Sequence, residues 1–373
     1  MKKISSFLAL SALLVVACAA FAADGPVHPR FVTLPPHNTN GASVPAGALQ
    51  TWAGSFTYNG NTTPFTMVGT DPSKSNATTT INVYIIPVNV CVTPSGGSKT
   101  CFDPTTKQPN GQTVTQNVLN SPIFKNQDYT ISGTDLGNTQ YEDAYQRSNF
   151  WTEVMTNSSY HVILKPILIP EQTLNVPAGD GTIATDFGVK AANVDINYFD
   201  ERITAGLPKI KALTPASLAL VLTYNTYLTE GGCCIGGYHS TNGAQTYSEF
   251  TYAAASSGTP FSADVSALSH ELGEWYDDPL TNNSAGTAPN CRGGLLEVGD
   301  PIETELGAHD YGDYTYSMNG MTYHLQDLVT VQYFGQTPST ANNGNWTFQG
   351  QTGSVPGVGT FGTFPTGVCV NGQ

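Results

Sequence analysis

The clearest run of apolar positions is Ile81-Asn82-Val83-Tyr84-Ile85-Ile86-Pro87-Val88, β-branched and suited to a buried strand. Residues 139–155 place Tyr141, Ala144, Tyr145, Phe150, Trp151 and Val154 at helical spacing, without Gly or Pro, which predicts a helix. A second strand follows over residues 160–164, ahead of Pro166, and a second helix over residues 194–213, broken at Gly206-Leu207-Pro208. Leu218, Leu220, Val221 and Leu222 mark a third buried strand over residues 217–228, and residues 246–254 a fourth, more polar one. Residues 263–277 then read as a helix with Val265, Leu268, Leu272, Trp275 and Tyr276 apolar, ended by Pro279. Before residue 79 and after residue 279 the chain is rich in Gly, Asn and Thr, and reads as loops and short strands. The order strand, helix, strand, helix, strand, polar strand, helix describes a mixed sheet with helices packed on it. The polar strand reads as an edge, open to an extended peptide.

Composition narrows the classes. The 373 residues are 39% hydrophobic and 11% charged, with 38 Gly and 24 Pro, so the chain is neither disordered nor collagen-like. Fourteen Lys and Arg against 28 Asp and Glu exclude a nucleic-acid partner, since phosphate binding rests on cations. Residues 1–22 read as a signal peptide: Lys2 and Lys3, an apolar stretch, and Ala20-Phe21-Ala22 as the cleavage site. Val15-Val16-Ala17-Cys18 resembles a lipobox, so lipid anchoring through Cys18 is the lesser alternative to a secreted or periplasmic protein. No other segment is apolar for long enough to span a membrane. The six cysteines besides Cys18 suit up to three disulfides in an oxidising compartment. Cys91 and Cys101 flank a turn-rich loop that a bridge would close. Cys233 and Cys234 are expected to reach separately to Cys291 and Cys369, in an order the sequence leaves open.

The chemistry concentrates in Ser266-Ala267-Leu268-Ser269-His270-Glu271-Leu272-Gly273-Glu274-Trp275-Tyr276-Asp277-Asp278-Pro279. His270 and Glu274, at i and i+4, share a helix face and can reach one metal ion, with Asp278 at i+8. Glu271 occupies the place that HExxH metalloproteases give to the general base. A carboxylate at Glu274, where that motif has a second His, makes the site one charge more negative and a bound Zn²⁺ a weaker Lewis acid. Val265, Leu268 and Leu272 mark the opposite face, so a surface helix with solvated charges is the alternative. Downstream, Leu295-Leu296-Glu297-Val298-Gly299-Asp300 offers Glu297 or Asp300 as a further ligand. Upstream, Tyr238 and His239 follow Cys233-Cys234-Ile235-Gly236-Gly237, a Gly-rich turn, and form a pair suited to binding an oxyanion. His309, Tyr311 and His324 are lesser polar candidates, and His161 reads as structural.

Taken together, Ser269-His270-Glu271 with Glu274 and Asp278-Pro279, the preceding Gly-Tyr-His and the following Glu297-x-Gly-Asp300 resemble a family of exported zincin-like proteins. That family carries an S-H-E-x-x-E-x-x-x-D-P signature. The resemblance spans residues 79 to 301 and implies an α+β, zincin-like fold: a mixed sheet over an active-site helix, with loop-rich flanks. The implied organisation is a signal peptide (1–22), a loop- and strand-rich segment (23–78) and a zincin-like domain with a loop-rich C-terminal portion (79–373). It implies one Zn²⁺ per chain, held by His270, Glu274 and one of Glu297 and Asp300, and a metallopeptidase with Glu271 as base. A peptide or protein substrate would lie along residues 246–254. The alternative function is a catalytically silent scaffold, an exported binding or surface protein in which carboxylates hold Ca²⁺ structurally. A serine hydrolase is disfavoured, because no G-x-S-x-G elbow is present. Asp277, Asp278, Glu297 and Asp300 leave a paired-carboxylate glycosidase open.

Overall fold

The computed structural model describes residues 30–38, 47–58, 60–131, 134–156, 159–254, 262–284, 295–297, 313–326, 354–355 and 359–360. Residues 1–22, Cys291, Asp300, His309, Tyr311 and Cys369 lie outside them. In chain order come β1 (Arg30–Thr33), β2 (Thr51–Tyr58), β3 (Asn61–Val68), β4 (Thr78–Val92), β5 (Thr100–Phe102), α1 (Val114–Asn120), β6 (Gln127–Ile131), β7 (Thr134–Thr139), α2 (Tyr141–Asn149) and α3 (Trp151–Val154). There follow β8 (His161–Leu168), β9 (Gln172–Val176), β10 (Gly181–Asp186), β11 (Val189–Asp195) and α4 (Ile196–Gly206), which runs into a 3-10 turn at Leu207–Lys209. Last come β12 (Leu218–Tyr224), β13 (Thr226–Thr229), β14 (Cys233–Asn242), β15 (Gln245–Tyr252), α5 (Ser266–Asp277), β16 (Asp313–Met318) and β17 (Met321–Gln326).

Eleven strands form one mixed sheet in the order β10-β11-β13-β14-β15-β12-β4-β5, with β1 on β14 and with β8 and β9 on β4. Among the described residues strand makes up 48% and helix 18%, and the sheet curls into a half-barrel. The fold is mostly β, which overturns the α+β zincin-like architecture. Much of the excess strand lies in segments that read as loops or turns in the sequence. Cys233-Cys234-Ile235-Gly236-Gly237 resembles a turn, yet it begins the ten-residue β14. Partners on both sides supply its hydrogen bonds: β13 and β1 along one edge and β15 along the other.

The strand over residues 245–252 is not an edge either. β15 lies between β14 and β12 and is buried along seven of its eight residues, so no peptide can add to it. Its polar side chains suggested an edge, but α5 covers one face and a second core, which includes Tyr247, the other. In β12, Leu218, Leu220 and Leu222 pack toward α5 and α2, whereas Ala219 and Val221 join the core beneath α4. Coverage on both faces explains why β12 is apolar at nearly every position.

Smaller boundaries move as well. The helix expected over residues 139–155 divides at Phe150, and Thr139 ends β7. Asn225, at a φ of 44°, splits the strand expected over 217–228. A disulfide joins Cys91 to Cys101 across adjacent strands β4 and β5. Cys233 and Cys234 are bonded to each other, which overturns the expectation that each reaches a distant cysteine. Among the described residues no helix is long and apolar enough to cross a membrane.

Candidate metal centre

Helix α5 is buried at all twelve positions, so the alternative of a solvated charged face does not hold. It lies against β14 and β15 on one side and against β17, α2 and β3 on others. Its start is braced by Asp264, whose carboxylate accepts from the backbone N–H of Val265 and His324 and lies 2.6 Å from His324 Nδ1. Ser269 Oγ donates to the Ser266 carbonyl and accepts from the Gln326 N–H, tying the helix to β17. Pro279 follows the C-terminus, where Asp278 Oδ1 accepts from the N–H groups of Asn282 and Asn283.

On this rigid element His270 and Glu274 meet as their spacing requires, with His270 Nε2 3.2 Å from Glu274 Oε1. β14 brings in His239, whose Nδ1 lies 3.3 Å from Glu271 Oε2 and 3.7 Å from Glu274 Oε2. Glu297 hydrogen-bonds to Glu274 and accepts from Thr33 Oγ1. Two groups result, His239 with Glu274 and Glu297, and His270 with Glu271 and Glu274, each with ligand atoms within 4.8 Å of one another. None of these five residues is more than 4% exposed. Burial alone raises the Glu274 carboxyl, but His270 first, then His239 and Glu297, outweigh it and hold the pKa to about 2. Three buried carboxylates together are costly without a cation. With two imidazoles among them, the donor set fits Zn²⁺ better than Ca²⁺, whose sites are all oxygen.

The side-chain period of two explains which residues of β14 take part. Gly237 and His239 face α5, while Tyr238 faces the opposite core. The Tyr238 hydroxyl donates to Asp200 Oδ1 at 3.0 Å, so Tyr238 and His239 are not a pair, and Tyr238 is remote from the centre. Gly237 permits the close approach of strand and helix: a Cβ there would sit 2.8 Å from Glu271 Cγ and 2.9 Å from the Glu249 carbonyl oxygen. The backbone oxygen cannot swing aside, so Gly237→Ala is expected to destabilise the protein by about 1–3 kcal/mol. A urea-unfolding midpoint unchanged from the parent would refute that steric reading.

His324 braces the helix through Asp264 and is not in the cluster, and His161 Nδ1 lies 2.6 Å from Asp143 Oδ2. The sequence reading did not include Phe31, Thr33 and Gln326. The Phe31 ring stacks on His270 at 3.9 Å between centroids, and Gln326 Oε1 lies 3.4 Å from His270 Nδ1. No local motif marks these three, because each arrives from a distant strand. The place of His239 beside Glu271 and Glu274 was legible only as an alternation, Gly237 then His239, inside what looked like a turn.

Behind the cluster stand further buried acids. Burial raises Glu142, Glu249 and Asp277 well above the usual carboxylate range. Asp278 is pushed up from 3.8 to about 7 by burial, the neighbouring Glu274 charge adding to it. The folded chain therefore holds this proton to higher pH than the unfolded chain, and in metal-free protein stability falls as pH rises from about 4 to about 7. Asp278→Asn keeps the Oδ1 acceptor and removes the titration. It is expected to stabilise metal-free protein by about 2 kcal/mol at pH 8 and by little at pH 4. Equal pH slopes in denaturant unfolding of the two proteins would contradict this.

No protein-family model, curated protein or solved structure matches the chain.

Proposed function

We propose that this chain is an exported zinc-dependent peptidase whose centre is built on α5. The observation that carries the reading is a pair of buried ligand groups that share Glu274, His239 with Glu297 and His270 with Glu271. His270, Glu274 and Glu297 would hold the ion, leaving a fourth position for water. Bound zinc supplies a Lewis acid and lowers the pKa of water. Glu271 takes the proton of the attacking water and returns it to the leaving amine nitrogen. His239, 3.3 Å from its Oε2, fixes the orientation of that carboxylate. The half-barrel is not a zincin fold, so the reading rests on side-chain chemistry. The S-H-E-x-x-E-x-x-x-D-P resemblance supports it, and the leader-like residues 1–22 support export.

A second reading has its own observation. Four donors and near-complete burial also suit a closed structural zinc centre in a catalytically silent scaffold, an exported binding or surface protein. Metal analysis of the purified protein beside His270→Ala tests the centre that both readings share. One zinc per chain, lost in the variant, is the expected result, and absence of zinc after neutral-pH loading would end both. Hydrolysis of a mixed peptide library then separates peptidase from scaffold.

A further inference from the structure

We infer that residues 30–38 occupy the peptide cleft of this centre from within the chain, shielding it while they remain in place and yielding the β14 edge to an extended peptide once removed. The inference rests on the peptidase reading for the identity of the later occupant, but the shielding itself does not.

β14 can accept a strand on only one edge beside His239. β15 fills the other, and β13 pairs only with the Cys233 and Ile235 end. The open stretch is taken by β1, which runs parallel with Val32 opposite Tyr238 and Thr33 opposite His239. Pairing continues beyond it: the Leu34 N–H donates to the His239 carbonyl, the His37 N–H to the Thr241 carbonyl, and the Gly243 N–H to the His37 carbonyl. An added strand makes these main-chain bonds whatever its sequence, which is how an extended peptide is held at a sheet edge.

The side chains of the segment alternate in the same sense. Phe31 and Thr33 point to the centre, the first stacked on His270 and the second hydrogen-bonded to Glu297. Val32 points to the other core. The far end is latched by His37, whose Nε2 lies 2.8 Å from Asp200 Oδ2 and whose side chain is 38% exposed. Asp200 also accepts the hydroxyls of Tyr238 and Tyr247. An aromatic side chain over one candidate ligand, a hydroxyl on another and a backbone along the strand that carries a third are the contacts a bound peptide would make. The same contacts cover His270 and Glu297 of the cluster. The occupant class that follows is an extended polypeptide with an aromatic residue at the position of Phe31.

The test cuts the segment away after folding, through a specific protease site built into residues 39–46, and removes it by gel filtration. Metal-free protein before and after is treated with diethyl pyrocarbonate, and labelling of His239 and His270 is read by peptide mass spectrometry. Labelling is expected to rise about tenfold or more, because reagent access no longer waits on local opening. A synthetic peptide of residues 30–38 added back should restore protection, and its Phe31→Ala form should do so less well. Uncut His37→Ala protein, with the latch alone removed, should label faster than the parent. Unchanged labelling after verified removal, or loss of the strand signal in circular dichroism, would overturn the inference, the latter by showing that the segment is ordinary core. If labelling rises and zinc binds but no peptide is hydrolysed, the shielding stands and the peptidase reading fails.

Discussion

In protein freed of residues 30–38, Glu271→Gln is expected to lower peptide hydrolysis by about two to four orders of magnitude, the usual contribution of a general base, while zinc content is retained. The amide matches the carboxylate in size, so the close packing of Glu271 against Gly237 is preserved. Glu271 is fully buried, and His239 Nδ1 at 3.3 Å still finds an oxygen to contact. What the amide cannot do is accept a proton from water at neutral pH. Single-turnover assays with the most rapidly cleaved library peptide, run beside metal analysis, read both effects. Retained hydrolysis would remove Glu271 from the mechanism. Joint loss of zinc and activity would instead make Glu271 a ligand, which its place in the group with His270 and Glu274 would accommodate.

For the proposed zinc centre, chelation is expected to lower the melting temperature by roughly 5 °C. A ligand present at a thousand times its Kd stabilises the folded state by about 4 kcal/mol, and at about 2.1 cal/mol/K of unfolding entropy per residue each kcal/mol is worth roughly 1.5 °C in a chain this long. The direction follows from burial. Glu271, Glu274 and Glu297 are no more than 1% exposed, so without a cation their charges rest on the imidazoles and on one another. His270→Ala is expected to abolish the chelator-dependent shift, because it removes a donor 3.2 Å from Glu274 and the ring on which Phe31 stacks. Calorimetry of parent and variant, each with and without chelator, measures the shift. An identical melting temperature in all four samples would leave the cluster without a metal.

The strong, local signals carried over from sequence to structure. The β-branched run at 81–88 lies within β4, the Val265 to Tyr276 periodicity is α5, and Cys91 pairs with Cys101 across a short loop. Burial of α5 on every side was not legible, because Ser266, Ser269, His270, Glu271 and Glu274 look like a solvent face until β14, β15 and β17 are laid against them. The polar strand β15 misled for the same reason: Thr246, Ser248 and Glu249 are buried by coverage that comes from elsewhere in the chain.

By itself the sequence determined the spacing of His270, Glu271 and Glu274, since 3.6 residues per turn places i and i+4 on one face whatever surrounds the helix. It determined as well that the chain would be acidic, and that Pro279 would end the helix. The tertiary structure alone decided that the sheet is a mostly-β half-barrel, that His239 joins the centre while Tyr238 turns away, and that Phe31 and Thr33 cover it. Helical spacing follows from hydrogen bonds between neighbours in the chain. Strand pairing joins residues as far apart as Thr33 and His239, so the register that chooses the faces of β14 exists only once the sheet has closed.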